Sequence, residues 1–242
     1  MKVISMAKCR VTLIANAGVM IECNGAKVFS DALHRSKTLN FSAVDEEKQQ
    51  RLFSDPAFKN ADAMIFTHKH PDHYSKTLIT QMKEYTPGIE LISPIKEFDD
   101  MLLIEKDEQR FRFKKFTVDF MRLTHSGAEY KNFLHYGFLL DFGGFTVLNT
   151  GDGDVANPAL IRYLSGRRID LALMPFPWLT LKSGRNITEQ FIKPRHVMYF
   201  HLPFAEDNIS GYREFAFKAL PLMTAVEDAR LLSEPWQVEE II

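Results

Sequence analysis

The chain has 242 residues, 45% hydrophobic and 25% charged, with a formal net charge of −1. That balance is typical of a globular protein large enough to bury its own core, and it offers no general attraction to nucleic acid or to an anionic membrane. No run approaches the roughly 18 apolar residues of a membrane span, and no linker or repeat divides the sequence, so residues 1–242 are expected to form one domain. Lys2 followed by Ala15-Asn16-Ala17 imitates a secretion signal, but Lys8 and Arg10 break up the apolar stretch such a signal needs. The two cysteines, Cys9 and Cys23, are too few for a disulfide framework. They are expected as buried thiols in neighbouring strands of a cytoplasmic protein.

In chain order, residues 11–15, 19–22 and 27–30 have the short apolar character of strands. Asn24-Gly25 is a hairpin turn between the last two, and Asn16-Ala17-Gly18 turns the first pair. The third strand ends at Asp31-Ala32-Leu33-His34. A helix over 44–53 stops before Pro56. Residues 63–66 then form a buried strand that gives way to Thr-His-Lys-His-Pro-Asp-His. Pro71 lacks an N–H and disfavours the α conformation at His70, so this segment is a loop. Ser75 caps the next helix, in which Leu78, Ile79 and Met82 share a face. His68, His70, Asp72 and His73 therefore project from one loop anchored by a strand and a helix. Neutral imidazole nitrogens and carboxylate oxygens are what zinc and related divalent ions bind, so a metal site is expected here.

The helix ends near Pro87-Gly88, a strand follows over 89–92, and residues 94–110 are expected to hold a short helix with a charged outer face. Residues 110–115, Arg-Phe-Arg-Phe-Lys-Lys, suit either a nucleic-acid groove or a half-buried strand. The near-neutral chain favours the strand, continued over 116–123 into Thr124-His125-Ser126-Gly127. A hairpin of strands 136–140 and 145–148 about Phe142-Gly143-Gly144 leads to Asn149-Thr150-Gly151-Asp152-Gly153. A helix over 158–165 and a strand over 169–174 precede an extended Pro175-Phe176-Pro177-Trp178 segment. A Ser-Gly loop carries Lys182 and Arg185. A helix over 188–192, a strand over 196–200 ending in His201-Leu202-Pro203-Phe204, a helix over 210–220 and a strand over 229–232 complete the chain.

The motif His-x-His-x-Asp-His after an apolar strand, the strand-end His125, Thr-Gly-Asp at 150–152 and the strand-end His201 resemble, in this order, the metallo-β-lactamase superfamily. The resemblance implies an α/β fold, a four-layer αββα sandwich with helices outside two facing sheets and a metal site at one sheet edge. It assigns His68, His70 and His125 to one metal and Asp72, His73 and His201 to another, with Asp152 bridging and Asp154 as the competing carboxylate. Asp72 and His201 are also the candidate catalytic residues, Asp72 by orienting the nucleophile or moving its proton. Two divalent ions roughly 3.5–4 Å apart would ionise a bridging water whose hydroxide attacks a carbonyl or phosphoryl centre. The ligand set suits zinc and permits manganese or iron.

Asp31, at the end of a similar N-terminal meander, either hydrogen-bonds a ligand imidazole or caps a turn. The candidate substrate contacts are His34, Trp178, Lys182 and Arg185. His34 faces the pocket or solvent, and Trp178 with Phe176 forms an apolar wall or, for Phe176, core. Lys182 and Arg185 bind an anionic group or are simply solvated. The superfamily's redox diiron branch carries an acidic residue where this chain has His70, which favours hydrolysis. No Cys stands at a ligand position, unlike the thiolate-bearing antibiotic-hydrolysing subclasses. The meander, Thr-Gly-Asp and His-Leu-Pro-Phe look most like the branch containing ascorbate-6-phosphate lactonase and N-acyl-phosphatidylethanolamine phospholipase D. The implied protein is a metal-dependent hydrolase of a small anionic ester, lactone or phosphodiester, with neither membrane nor nucleic acid as partner. A metal-dependent ribonuclease or nucleic-acid phosphodiesterase and a non-catalytic metal-dependent sensor are the alternatives. A symmetric homo-oligomer is the default expectation for assembly.

Overall fold

The computed structural model describes residues 9–38 and 41–241. Lys2 and Lys8, used above in reading the N-terminus, lie outside them. The chain opens as a meander of β1 (Cys9–Ala15), β2 (Gly18–Cys23) and β3 (Ala26–Ser30). Asn16 and Asn24 take the left-handed conformation at its turns, with φ of 47° and 50°, which short amide side chains tolerate better than most. Cys9 and Cys23 stand opposite each other in the β1–β2 register as buried free thiols.

Helix α1 (Glu46–Ser54) starts on Asp45, whose carboxylate accepts the Lys48 N–H. It leads to β4 (Ala63–Ile65), α2 (Lys76–Tyr85), β5 (Glu90–Ser93) and the two-residue β6 (Leu102–Leu103). The second half contributes β7 (Glu108–Arg112), β8 (Thr117–Arg122), β9 (Tyr136–Asp141), β10 (Thr146–Asn149), α3 (Pro158–Leu164) and β11 (Leu171–Pro175). Then come α4 (Pro177–Thr180), α5 (Lys182–Ile187), β12 (His196–Phe200), α6 (Tyr212–Ala219), β13 (Asp228–Leu231) and β14 (Val238–Ile241). Among the described residues two seven-stranded sheets result, ordered β14-β1-β2-β3-β4-β5-β6 and β13-β12-β11-β10-β9-β8-β7. Each joins an antiparallel meander to a parallel run, because strands linked through a helix return in the same direction.

Side-chain alternation sorts these strands into layers. On β11, Leu171 and Leu173 enter the core between the sheets, whereas Ala172 and Met174 face the outer helical layer. On β12, Met198 and Phe200 point inward and Val197 and Tyr199 outward. Strands covered on both faces read as continuous apolar runs rather than as an alternation. On the other side, α2 buries Leu78, Ile79 and Met82. The architecture is the αββα sandwich. Among the described residues, no helix is long and apolar enough to cross a membrane.

Several local expectations need correction. Residues 94–110 hold no helix, because the backbone of Leu102 and Leu103 pairs with β5 instead of closing helical turns. The basic–aromatic run does not continue into the next strand: Phe113 N–H bonds Phe116 O across a tight reversal, so β7 and β8 are antiparallel neighbours. Pro177 begins α4 at the position where its missing N–H is harmless, so Pro175 to Trp178 is not an extended segment. Lys182 and Arg185 lie on α5, not in a loop. Strand β14, unforeseen in the sequence, closes the first sheet against β1.

Candidate metal centre

The strand β4 stops at Ile65, and residues 67–75 form a loop of turns at the edge where the two sheets approach. His73 and Tyr74 N–H groups both bond His70 O, which curls His68, His70, Asp72 and His73 onto one side. The opposite sheet supplies the remaining groups. His125 follows β8, Asp152 follows β10 and His201 follows β12, each just beyond its strand. Backbone bonds tie these segments together: Tyr136 N–H to Thr67 O, Ser126 N–H to Asp152 O, and His201 N–H to Asn16 O. Asn149 spans the sheets, donating to Ser30 Oγ at 2.9 Å while its Oδ1 accepts Gly151 N–H at 2.8 Å.

Seven side chains converge as a result. Potential ligand atoms of His68, His70, His125 and Asp152 lie within 4.8 Å of one another, and those of Asp72, His73 and His201 form a second such group. Asp152 stands between them. Its Oδ2 is 3.8 Å from His68 Nε2, 3.6 Å from His125 Nε2 and 3.2 Å from His73 Nε2, and its Oδ1 is 3.3 Å from His201 Nε2. Asp154 turns away to accept Ala156 N–H, so it does not compete.

The far sides of the imidazoles decide which nitrogen carries the proton. Thr67 Oγ1 donates to Asp31 Oδ2 at 2.7 Å, which leaves it to accept from His68 Nδ1 at 2.9 Å. His125 Nδ1 donates to Ser126 O at 2.6 Å. Asp31 Oδ2 lies 3.2 Å from His73 Nδ1, and Asp31 Oδ1 accepts Thr67 N–H at 2.8 Å. His68 and His125 therefore turn an Nε2 lone pair inward, as a metal-ligating histidine does when its outer nitrogen is held, and His73, with Nδ1 towards Asp31, presents Nε2 to Asp152. Asp31 reaches this position with φ of 48° at the end of β3.

These residues fit divalent ions. His68 Nε2 faces His70 Nδ1 at 3.0 Å, and His73 Nε2 faces His201 Nε2 at 3.1 Å. His125 Nε2 is buried with no hydrogen-bond partner. A divalent cation among these nitrogens and the carboxylate would take the lone pairs that the unprotonated rings present. Burial, helped by the neighbouring His73, holds His68 well below the usual histidine range, and burial with the adjacent His125 lowers His70 to about 4. Burial opposes charge on Asp152 too, but His201 and His73 outweigh it and keep the carboxylate ionised. For His73 and His201 burial is likewise outweighed, chiefly by Asp152, so both are raised. The set suits zinc, manganese or iron and holds no thiolate.

The remaining candidate residues are placed differently. Trp178 is buried beneath the site and donates to Gly153 O at 3.0 Å, so it braces the Asp152 turn instead of meeting substrate. Phe176, read as core or wall, lies on the wall of a cleft of about 410 Å³ above the Asp152 carboxylate. Arg185 donates to the Leu179 and Thr180 carbonyls at the end of α4, Lys182 is exposed, and neither lines that cleft. His34 is neither on the cleft wall nor solvated: it is fully buried, with Nε2 3.2 Å from Ala15 O. His135, not singled out by its sequence context, is buried with its ring 5.1 Å from that of His68 and 5.3 Å from that of His125. A Cβ on Gly151 would lie 2.6 Å from His135 Nε2, so the turn that presents Asp152 requires glycine. A lone His ahead of a strand carries no signal of such a place.

The sandwich and its position of convergent histidines define the metallo-β-lactamase fold, and this chain has that fold. Among solved structures it is similar to a metallo hydrolase, Igni18, from the hyperthermophilic archaeon Ignicoccus hospitalis, at 16% identity over 97% of this chain and 99% of that one, with a TM-score of 0.66. The metallo-β-lactamase fold protein YhfI from Bacillus subtilis is similar at 15% identity over 97% and 99% of the two chains, TM-score 0.63. The diiron β-hydroxylase CmlA from Streptomyces venezuelae shares the fold at 12% identity, TM-score 0.63, with 96% of this chain matching 54% of that one. No family model and no curated protein matches the sequence.

Proposed function

We propose that this protein is a metal-dependent hydrolase that binds two divalent ions, most simply zinc, at the paired cluster. One observation carries the reading: Asp152 stands between two groups of convergent histidines, its Oδ2 3.2 Å from His73 Nε2 and its Oδ1 3.3 Å from His201 Nε2. His68, His70 and His125 would hold one ion, Asp72, His73 and His201 the other, and Asp152 both. Such ions supply an ionised water at neutral pH and stabilise an oxyanion. Asp72 lies on the cleft wall with Oδ2 3.8 Å from His201 Nε2. In this reading Asp72 takes the proton lost by the attacking water and returns it to the leaving group. Asp31 keeps His73 in its ligating tautomer, and Phe41, edge-on to His201 with ring centroids 4.6 Å apart, fixes that ring.

Histidine at position 70, where the redox diiron branch carries an acid, favours hydrolysis over oxygen chemistry. The substrate class is a small ester, lactone or phosphodiester. The expectation of an anionic substrate loses its structural motive, because Lys182 and Arg185 lie away from the cleft. Against the nuclease reading, two cations of the basic run are already paired, Arg110 with Asp119 and Lys115 with Asp62. The test is hydrolysis of a lactone, a carboxylic ester, a phosphodiester and RNA by zinc-loaded protein alongside His70→Ala. Turnover that His70→Ala abolishes is expected; turnover that survives it contradicts a metal-centred mechanism, and cleavage of RNA alone favours the nuclease.

A further inference from the structure

The cleft over Asp152 is bounded by two aromatic walls. On one side Tyr130 packs against His70 and His125, with ring centroids 4.9 and 5.1 Å apart. Phe133 lies behind it, 4.2 Å from His70. On the other side Phe41 packs on His201, and Tyr212 stacks between Phe41 and Phe176 at 6.3 and 4.9 Å. Val155 and Pro175 close the space between. Among the described residues, none of those lining the cleft is Lys or Arg, and the one charged group away from the convergent cluster is the exposed carboxylate of Glu129. A second anion in this space would have no cationic side chain to pair with and would lie beside a like charge, which is costly in a partly desolvated cleft.

We infer that the cleft takes an uncharged ester or lactone with apolar groups on both sides of the scissile bond, such as an aryl ester of a short fatty acid. Acids bearing a carboxylate or phosphate are discriminated against. This rests on the hydrolase reading. Each flank of the reacting carbonyl meets an aromatic wall, so the acyl and leaving groups both gain by leaving water. Selectivity arises as much from what a charged substrate lacks as from what an apolar one finds.

The test compares phenyl butyrate with monophenyl succinate, which replaces the terminal methyl by a carboxylate, and with diphenyl phosphate, all on zinc-loaded protein. The uncharged ester is expected to be favoured in kcat/KM by about 30-fold over the succinate, the order expected for a desolvated unpaired charge. Glu129→Lys, an exposed position, should shrink that ratio severalfold by favouring the succinate. Binding to the metal-free protein is measured in parallel by calorimetry, with benzyl propyl ketone and its carboxylate-bearing counterpart as uncleavable analogues. Tighter binding of the ketone is expected. Preference for the succinate or the phosphodiester, or equal or reversed binding of the two analogues, overturns the inference. If no ester is cleaved yet the ketone binds tighter, the hydrolase reading fails while the chemistry assigned to the cleft stands.

Discussion

Replacing Asp31 with Asn isolates one negative charge that the metal-centre account requires. Asn tolerates the left-handed backbone at this position, where φ is 48°, so the substitution adds little strain. Its amide oxygen can still accept the Thr67 N–H, but its NH₂ group replaces the acceptor that faces both Thr67 Oγ1 at 2.7 Å and His73 Nδ1 at 3.2 Å. Two buried contacts are then lost or reversed. One of them is the Thr67 Oγ1 hydrogen bond, and at about 1–3 kcal/mol for an unmade buried hydrogen bond the fold should lose about that much. The His73 proton also moves to Nε2, the nitrogen that faces Asp152 and His201. Loss of such a partner costs a metal site about 10–100-fold in affinity. Urea unfolding of the metal-free protein and zinc titration against a competing chelator measure the two effects separately. An Asp31→Asn protein that binds two zinc ions with unchanged affinity would refute the claim that Asp31 sets the His73 tautomer.

Gly151→Ala would push a Cβ to within 2.6 Å of His135 Nε2 and 3.0 Å of Thr67 at a φ of 50°. It should destabilise the protein by about 2 kcal/mol or more and weaken zinc binding, as read by thermal unfolding and metal content. Burial pushes His34 down to about 4. The unfolded chain therefore takes up a proton there near pH 6.5 that the folded chain refuses, and stability present above about pH 6.5 is lost as pH falls towards 4. The loss is about 3 kcal/mol, and His34→Gln should flatten that part of the stability–pH curve of the metal-free protein; an unchanged slope contradicts it. Stripping metal with a chelator should lower the melting temperature, since each ion at 100 times its dissociation constant stabilises the fold by about 2.7 kcal/mol. A melting temperature indifferent to zinc and chelator argues against both ions.

What the sequence discloses about this protein depends on how local the determining interactions are. His68, His70, Asp72 and His73 share one loop, and Pro71 and Ser75 mark its character and its end, so the cluster is visible without the fold. His125, Asp152 and His201 are singled out only by the resemblance of their order after strands to the metallo-β-lactamase pattern, and the sandwich brings all seven together. Long-range facts are hidden. Whether Arg185 reaches a ligand or caps α4 depends on where the Leu179 carbonyl points. The burial of His34 and His135 follows from strands distant in sequence, and β14 forms because β1 has an open edge to pair. Residues 94–110 have enough charge and apolar spacing for a helix, yet β5 captures their backbone. Trp178 and Phe176 exchange expected places because Pro177 starts a helix that rotates the indole under Gly153.

Anomalous diffraction at the zinc edge from zinc-soaked crystals addresses the paired centre most directly. Two peaks are expected, one among His68, His70 and His125 and one among Asp72, His73 and His201, with the Asp152 carboxylate touching both. A single peak, or zinc bound away from Asp152 while these side chains remain assembled, would contradict that assignment.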